Sequence, residues 1–310
     1  MSSLNISCAS ALEQVVGLAK EFPQGIVAFD ADGTLWSDDV GVLTFHYCLR
    51  HRLLAEESRE RLALEVRQLG LSFPAQARAS ELATILENAR AEGKYAERPY
   101  TEMQVWAYAG LTENQLEDYT IQALQEANHD QAIHSGMVAI ARELRDRGIQ
   151  TAVISASPQI VARVAASPLG FASSEVLGGL LIQRNGSLSH EWAYPLPYGD
   201  DKVRAGETRF PKRPWLAAFG DSDFDLPMMR KAHSAFGLGQ KASLLEKLSR
   251  LALGSQKPTF HLAEPHSWNV SSSESTQKEN LQPEIAQSFT QEKNISPEAR
   301  ETIEPKAGLR

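Results

Sequence analysis

Two groups of aspartates in this sequence each follow directly on an apolar segment. Asp30 and Asp32 come after residues 26–29, and Asp221, Asp223 and Asp225 come after residues 215–219. Short apolar segments bounded by turn-forming residues are typical of strands buried on both faces, and ligands bind beyond the carboxyl ends of such strands in open α/β sheets. Mg²⁺ in phosphoryl-transfer sites is typically held by one or two carboxylates with phosphate and water. The acidic cluster at 221–225 therefore indicates a cation site.

Ordinary local structure offers an alternative for each group. An Asp-Gly pair after a strand, such as Asp32-Gly33, is common in turns. The carboxylates of the second group could cap a helix that begins near Leu226, where the helix N-terminus favours negative charge. Both interpretations can hold together for Asp225.

Two more polar positions lie between these groups. Ser155 follows the apolar residues 152–154 and precedes Pro158, which indicates a strand followed by a helix. Ser155 or Ser157 could simply be the N-cap of that helix. Lys202 lies at the start of a short predicted helix, although a single lysine is most often a surface charge.

The elements that must position these residues can be placed from periodicity. Residues 9–21 form a predicted helix that leads into the first strand, and residues 135–147 form another that ends at Gly148. Between them, Thr112 and Gln115 have the form of a capping box, and Asn185-Gly186 predicts a hairpin too small to be a second large cap. Further helices are predicted at 59–68, 79–91, 100–109 and 112–126.

Composition limits the function. The chain has 310 residues and a net charge of −8, which argues against nucleic-acid binding because such binding depends on cations that neutralise phosphates. Cys8 and Cys48 have no metal-ligand spacing and make a disulfide framework improbable. Because no apolar run is long enough for a membrane span and no signal peptide is visible, we expect no membrane association and a cytoplasmic location.

The composition changes near residue 254. Residues 255–310 are rich in Ser, Glu, Gln, Lys, Asn and Pro, and such a segment buries too little apolar surface to offset its ordering entropy. The sequence predicts a disordered tail there. Phe260, Trp268 and Phe289 are alternative anchors for short partner-binding elements.

The segment Asp30-Ala31-Asp32-Gly33-Thr34-Leu35 resembles the first motif of the haloacid dehalogenase (HAD) superfamily. Ser155, Lys202 and the Gly220-Asp221-x-x-x-Asp225 pattern resemble its later motifs in the same order. Arg204 and Lys212 are alternatives to Lys202. The resemblance to the phosphoserine phosphatase-like subgroup implies a Rossmann-like α/β core with a parallel sheet, formed by residues 1–39 and 135–254. The helical residues 40–134, too many for one crossover helix, would be an inserted C1-type cap.

The resemblance also implies an Mg²⁺-dependent phosphomonoester hydrolase that acts on a small phosphorylated metabolite. Asp30 would be the nucleophile that becomes an aspartyl-phosphate, and Asp32 the general acid and base. The other implied roles are phosphate binding by Ser155, Ala156 and Lys202, and metal binding by Asp30, the backbone carbonyl of Asp32, Asp221 and Asp225, where Asp225 is either a ligand or a residue that orients the ligands. Asp32 favours phosphate esters, because the related haloalkanoate dehalogenases generally lack this second aspartate.

Substrate choice is less defined. Asp39 lies where phosphoserine phosphatases usually have a Glu that binds the substrate ammonium, which suggests phosphoserine or another phosphoamine, although Asp39 could equally be an ordinary helix-start acid. Ala31, Gly33, Trp36 and Phe224 depart from that subgroup. A phosphotransferase or mutase, and a noncatalytic binding protein of the same fold, remain the alternative functions.

Overall fold

The computed structural model describes residues 4–239, 244, 246–248, 250 and 259–262. Within these residues, seven parallel strands form one sheet in the order β1-β9-β8-β7-β2-β3-β4. Their bounds are β1 Leu4–Ile6, β2 Ile26–Phe29, β3 Gln150–Pro158, β4 Val176–Gly179, β7 Trp215–Gly220, β8 Ser234–Leu238 and β9 Thr259–Leu262. The fold is the predicted Rossmann-like α/β core.

The strand order reverses at β2. This strand pairs with β3 on one side and with β7 on the other, and both pairings are parallel. Such a reversal leaves a crevice at the carboxyl ends of the central strands. The segments that follow β2, β3 and β7 are therefore brought together at one edge of the sheet.

Helices cover both faces of the sheet. Successive residues of a buried strand point to opposite faces, so each face presents apolar side chains that the helices bury. Val27 and Phe29 belong to one apolar cluster, and Ile26 and Ala28 belong to another. The core helices are α1 Cys8–Glu21, α7 Ser135–Asp146, α8 Gln159–Ala166, α9 Asp200–Arg209 and α10 Leu226–Lys231. Helices α1 and α7 pack against each other, as do α9 and α10.

A row of stacked phenylalanines fixes the register of four neighbouring strands. Phe29 stacks on Phe219 with ring centroids 4.8 Å apart, Phe219 on Phe236 at 4.5 Å, and Phe236 on Phe260 at 5.2 Å. Phe260 is thus part of the sheet, so residues 259–262 belong to the core and not to the predicted tail. Composition misled the prediction because a four-residue strand beside β8 needs few apolar side chains. Trp268, Phe289 and the rest of the predicted tail lie outside the described residues.

The insertion between β2 and β3 is helical, as predicted. Its helices are α2 Val40–Arg50, α3 Arg59–Gln68, α4 Ala79–Ala91, α5 Glu97–Trp106 and α6 Glu113–Glu126. Thr112 and Gln115 form the predicted capping box at the start of α6. The insertion packs on the core through α8, which contacts both α2 and α6. We refer to residues 40–134 as the cap.

The Asn185-Gly186 turn joins the strands β5 Leu181–Arg184 and β6 Ser187–Trp192, so the predicted hairpin is confirmed. This hairpin also contacts the cap. Leu188 exchanges backbone hydrogen bonds with Gly110 and Leu111, each 2.8 Å long, and His190 Nε2 lies 3.0 Å from the carbonyl oxygen of Glu57. The hairpin therefore ties the end of β4 to the cap.

Two further expectations concerned disulfides and membrane-spanning helices. Cys8 and Cys48 are buried and form no disulfide. Among the helices that the structure describes, none is both long and apolar enough to cross a membrane. The short strand β1, which pairs with β9 at the edge of the sheet, was not predicted.

Candidate active site

The strand ends bring the two groups of aspartates together. Asp30 directly follows β2 and Asp221 directly follows β7, and the backbone N–H of Asp30 donates to the carbonyl of Phe219 at 2.9 Å. Gly33 permits this approach. Its φ is +83°, and a Cβ atom there would lie 2.5 Å from Cγ of Asp221. A larger residue at position 33 would force the two segments apart.

Lys202 is buried between two carboxylates. Its Nζ lies 2.5 Å from Oδ1 of Asp30 and 2.6 Å from Oδ1 of Asp225. Burial by itself lowers the pKa of Lys202, but the charges of Asp225 and Asp30 outweigh it, so the net shift is upward. Lys202 is therefore held as an ammonium ion inside the site.

The alternatives to Lys202 lie elsewhere. Arg204 pairs with Asp201, with 74% of its side chain exposed, and Lys212 is an exposed residue before the start of β7, at the opposite end of that strand from Asp221. Neither is among the residues that line the cavity beside Asp30. The geometry therefore selects Lys202.

Asp225 orders the loop that follows β7. Its Oδ2 accepts hydrogen bonds from the backbone N–H groups of Asp221 and Ser222 and from Oγ of Ser222, at 2.9–3.1 Å. With Oδ1 paired to Lys202, both oxygens are engaged. Asp225 is thus an ordering residue for its own loop as well as a partner of the buried lysine, and its side chain makes no cap bond to α10.

The carboxyl group of Asp32 is held from two sides. Its Oδ2 accepts from Oγ of Ser155 at 3.1 Å and from Oγ of Ser157 at 2.7 Å. Its Oδ1 accepts from Nε1 of Trp36 and from the backbone N–H of Val40, both at 2.9 Å. The N-cap of α8 is Pro158 and makes no side-chain cap bond, so the serines serve Asp32 instead of capping the helix.

These residues line a cavity of about 240 Å³ between the core and the cap. The core side consists of Asp30, Asp32, Ser155, Ala156, Ser157, Pro158, Tyr198, Lys202, Asp221, Ser222 and Phe224. The cap side consists of Asp39, which directly precedes the cap, and of the cap residues Val42, Arg90, Glu97, Tyr100, Thr101 and Gln104. A ligand held there would contact both parts of the protein.

Asp39 has two roles in the geometry. Its Oδ1 accepts from the backbone N–H of Val42 at 2.8 Å and so caps α2, and the same side chain lines the cavity. The residue keeps contact with solvent through the cavity, yet surrounding protein and the charge of Asp32 raise the pKa of its carboxyl to about 7. Asp39 therefore caps a helix, as the helix-start interpretation expected, and also faces the cavity.

The cap closes over the site through an ion pair beside Lys202. Arg98 of α5 lies 3.0 Å from Oδ2 of Asp201, whose Oδ1 accepts from Arg204 at 2.7 Å. The carboxyl of Asp201 is 9% exposed. This contact connects the cap to the first turn of α9, which carries Lys202.

A family model of the haloacid dehalogenase-like hydrolases matches residues 27–230, which contain all of these site residues. The chain belongs to this family. The parallel sheet with its flanking helices is the Rossmann-like core of this family of hydrolases.

Two solved structures of low sequence identity, from Bordetella pertussis and Anaerococcus prevotii, share the fold. A protein of unknown function from Bordetella pertussis Tohama I is 14% identical with a TM-score of 0.55, and the match covers 76% of this chain and 98% of that one. A functionally unknown protein from Anaerococcus prevotii DSM 20548 is 15% identical with a TM-score of 0.58, covering 83% and 92% of the two chains. A substrate-bound phosphoserine phosphatase is 18% identical over 72% and 90% of the chains, with a TM-score of 0.43. No curated protein matches the sequence significantly.

The donor set of the HAD site fits a divalent cation. Asp30, Asp221 and Asp225 each offer a carboxylate oxygen, and within the described residues these atoms all lie within 4.8 Å of one another. Burial and the charge of Asp225 raise the pKa of Asp30, while the ammonium of Lys202 opposes that rise. Three carboxylates in the ionised form would carry more charge than the single ammonium of Lys202, and a bound cation would compensate the excess.

Sequence reasoning missed several residues of the site. Ser157 could have been found, because residues two apart on a strand share a face and Ser155 was already a candidate. Arg90, Glu97 and Tyr100 carried no such signal. They reach the cavity only because the cap folds over the sheet.

Proposed function

We propose that this HAD protein is an Mg²⁺-dependent phosphomonoester hydrolase acting on a small phosphorylated metabolite. The observation that carries the proposal is the convergence of Asp30, Asp32, Lys202 and Asp221 on one cavity. Its volume of about 240 Å³ is below the range of roughly 300–1,000 Å³ typical of sites for drug-sized ligands. The substrate is therefore a small molecule.

In the proposed reaction Asp30 attacks phosphorus and Asp32 protonates the leaving oxygen. Thr34 Oγ1 lies 3.2 Å from Oδ2 of Asp30, and Lys202 holds the other oxygen, so the nucleophile has a fixed direction. Lys202 also supplies positive charge for the phosphoryl oxygens. The hydroxyl of Ser155 and the backbone of Ala156 line the same wall and would bind those oxygens. Water then cleaves the aspartyl-phosphate, with Asp32 accepting its proton.

Asp30, Asp221 and the backbone carbonyl of Asp32 would hold the cation. Asp225 is better suited to positioning Lys202 and the loop, because four protein donors hold its two oxygens, three of them on Oδ2, whereas Asp30 has one donor on each oxygen. When bound, Mg²⁺ would reduce the repulsion between the Asp30 carboxylate and the anionic phosphate.

The cap side of the cavity supports a zwitterionic substrate. Asp39 and Glu97 are acidic, whereas Arg90 is basic and its Nε has no hydrogen-bond partner among the described residues. An ammonium near Asp39 and a carboxylate near Arg90 would satisfy both charges. Phosphoserine fits this pattern better than phosphocholine, which lacks a carboxylate.

The test is phosphate release from p-nitrophenyl phosphate and a panel of phosphoesters that includes phosphoserine and phosphocholine, with MgCl₂ or with EDTA. We expect release only with Mg²⁺, its loss in Asp30→Asn, and its retention in the control Asp223→Asn, since Asp223 lies outside the cavity lining. Turnover in Asp30→Asn close to that of the wild type would remove Asp30 from the mechanism. Product that forms only with an added acceptor would show a phosphotransferase, and binding without turnover a noncatalytic protein.

A further inference from the structure

The two oxygens of the Asp32 carboxyl face different surroundings. Oδ2 is on the side of Ser155 and Ser157, which line the cavity. Oδ1 is on the side of Trp36 and Val40, which are not among the cavity-lining residues. Oδ2 is thus the oxygen next to a substrate.

The donors also differ in chemistry. An indole N–H and a backbone N–H can only donate, so Oδ1 must remain an acceptor in every state of Asp32. A serine hydroxyl can donate or accept, and Ser155 and Ser157 can reorient when Asp32 carries a proton. The proton of the acid form therefore belongs on Oδ2.

Trp36 is rigidly placed to impose this arrangement. Its side chain is fully buried, and its ring contacts His129 edge-to-face with centroids 5.3 Å apart. Nδ1 of His129 is in turn 2.9 Å from Oδ2 of Asp38, and the backbone of Trp36 forms a bridge with Ile133. These contacts hold the indole against the last residues of the cap.

We propose that Trp36 is a positioning residue for Asp32, which makes Oδ2 the oxygen that exchanges the proton. The inference rests on the proposed function. As the bond from Asp30 to phosphorus forms and the ester P–O bond breaks, the proton on Oδ2 moves to the leaving oxygen and Asp32 becomes a carboxylate. The attacking water later returns a proton to the same oxygen.

The test compares leaving groups of different basicity. We would measure kcat/KM for p-nitrophenyl phosphate, whose leaving group departs readily as an anion, and for phenyl phosphate, which depends more on proton donation. In Trp36→Phe we expect kcat/KM for phenyl phosphate to fall by about 10- to 100-fold, part of the ~10²–10⁴ that general acid–base catalysis contributes, with little change for p-nitrophenyl phosphate.

A matched control is Trp215→Phe. Trp215 is also fully buried, but its Nε1 has no hydrogen-bond partner in the part of the chain that the structure describes, and it lies at the start of β7, away from the site. We expect no selective effect there. Equal losses on the two substrates in Trp36→Phe, or no loss on either, would overturn the proposal.

A second replacement distinguishes the loss of the indole hydrogen bond from a folding defect of the Phe variant. Site-specific incorporation of β-(3-benzothienyl)alanine at position 36 keeps the ring shape and replaces N–H by sulfur, and it should reproduce the selective loss even if the Phe variant does not fold. The hydrogen bond is also tested without turnover, because Asp32→Ala should shift the indole ¹H resonance of Trp36 and Asp223→Asn should not. An unshifted resonance overturns this proposal, whereas a wild-type enzyme inactive on both esters overturns the proposed function.

Discussion

Replacing Asp225 by Asn should destabilise the metal-free protein strongly. Asp225 is completely buried and accepts from Lys202, Asp221 and Ser222. If the amide oxygen of Asn keeps the loop donors, its NH₂ group must face the ammonium of Lys202, so that two donors oppose each other. Removing one member of a buried ion pair typically costs about 3–5 kcal/mol. Because Lys202 retains Asp30 as a partner, we expect about 3 kcal/mol.

A double-mutant cycle gives the sharper result. Lys202→Met leaves the carboxylates of Asp30 and Asp225 buried without their shared cation. Adding Asp225→Asn to Lys202→Met removes one of the two negative charges that the loss of Lys202 leaves unpaired. The loss of the double variant should therefore be smaller than the sum of the single losses by about 1–3 kcal/mol.

The free energy of unfolding would be measured by urea denaturation in EDTA, so that a metal ion cannot compensate the missing charges. Asp223→Asn is the matched control, since Asp223 lies in the same loop but pairs with Lys247 at a partly exposed position. Its cost should stay below about 1 kcal/mol. Equal stabilities of the Asp225 and Asp223 variants, or additive losses in the cycle, would refute this account of the buried charges.

Three other outcomes are expected. Saturating MgCl₂, at about 100 times its Kd, should stabilise the wild type by ~2.7 kcal/mol, which corresponds to a Tm increase of roughly 5–10 °C. The variant Asp221→Asn should lose most of this stabilisation. An equal Tm increase in that variant would contradict the metal site. Since the pKa of Asp39 is about 7, its carboxyl becomes neutral as the pH falls below that value, and KM for phosphoserine should then rise. Asp39→Asn keeps a good N-cap and should show a high, pH-independent KM, whereas an unchanged profile would exclude Asp39 from substrate binding. Arg98→Met removes the ion pair with Asp201 and should raise KM roughly two- to five-fold. The KM of this variant should also depend less on salt concentration than the KM of the wild type. A KM equal to that of the wild type would show that the ion pair does not help to close the cap.

Much of the fold follows from local patterns. Helices α3, α4 and α6, the hairpin turn at Asn185-Gly186 and the capping box at Thr112 were all predictable, because periodicity, turn chemistry and caps act over a few residues. The edge strand β1 and its neighbour β9 were not. Each is short, and they pair with each other across more than 250 residues of sequence, so no local signal marks them.

The sequence by itself determined which groups the proposed reaction can use, because Asp30, Asp32 and Asp221 each follow an apolar strand and parallel strands expose their carboxyl ends at one edge. Only the tertiary structure decided their partners. It placed Lys202 between Asp30 and Asp225, and Trp36 against one oxygen of Asp32. The contacts of Lys202 depend on distances between segments that are far apart in sequence, and the contact of Trp36 depends on the path of the connection to the cap. The pattern of side chains along the sequence specifies neither the distances nor the path.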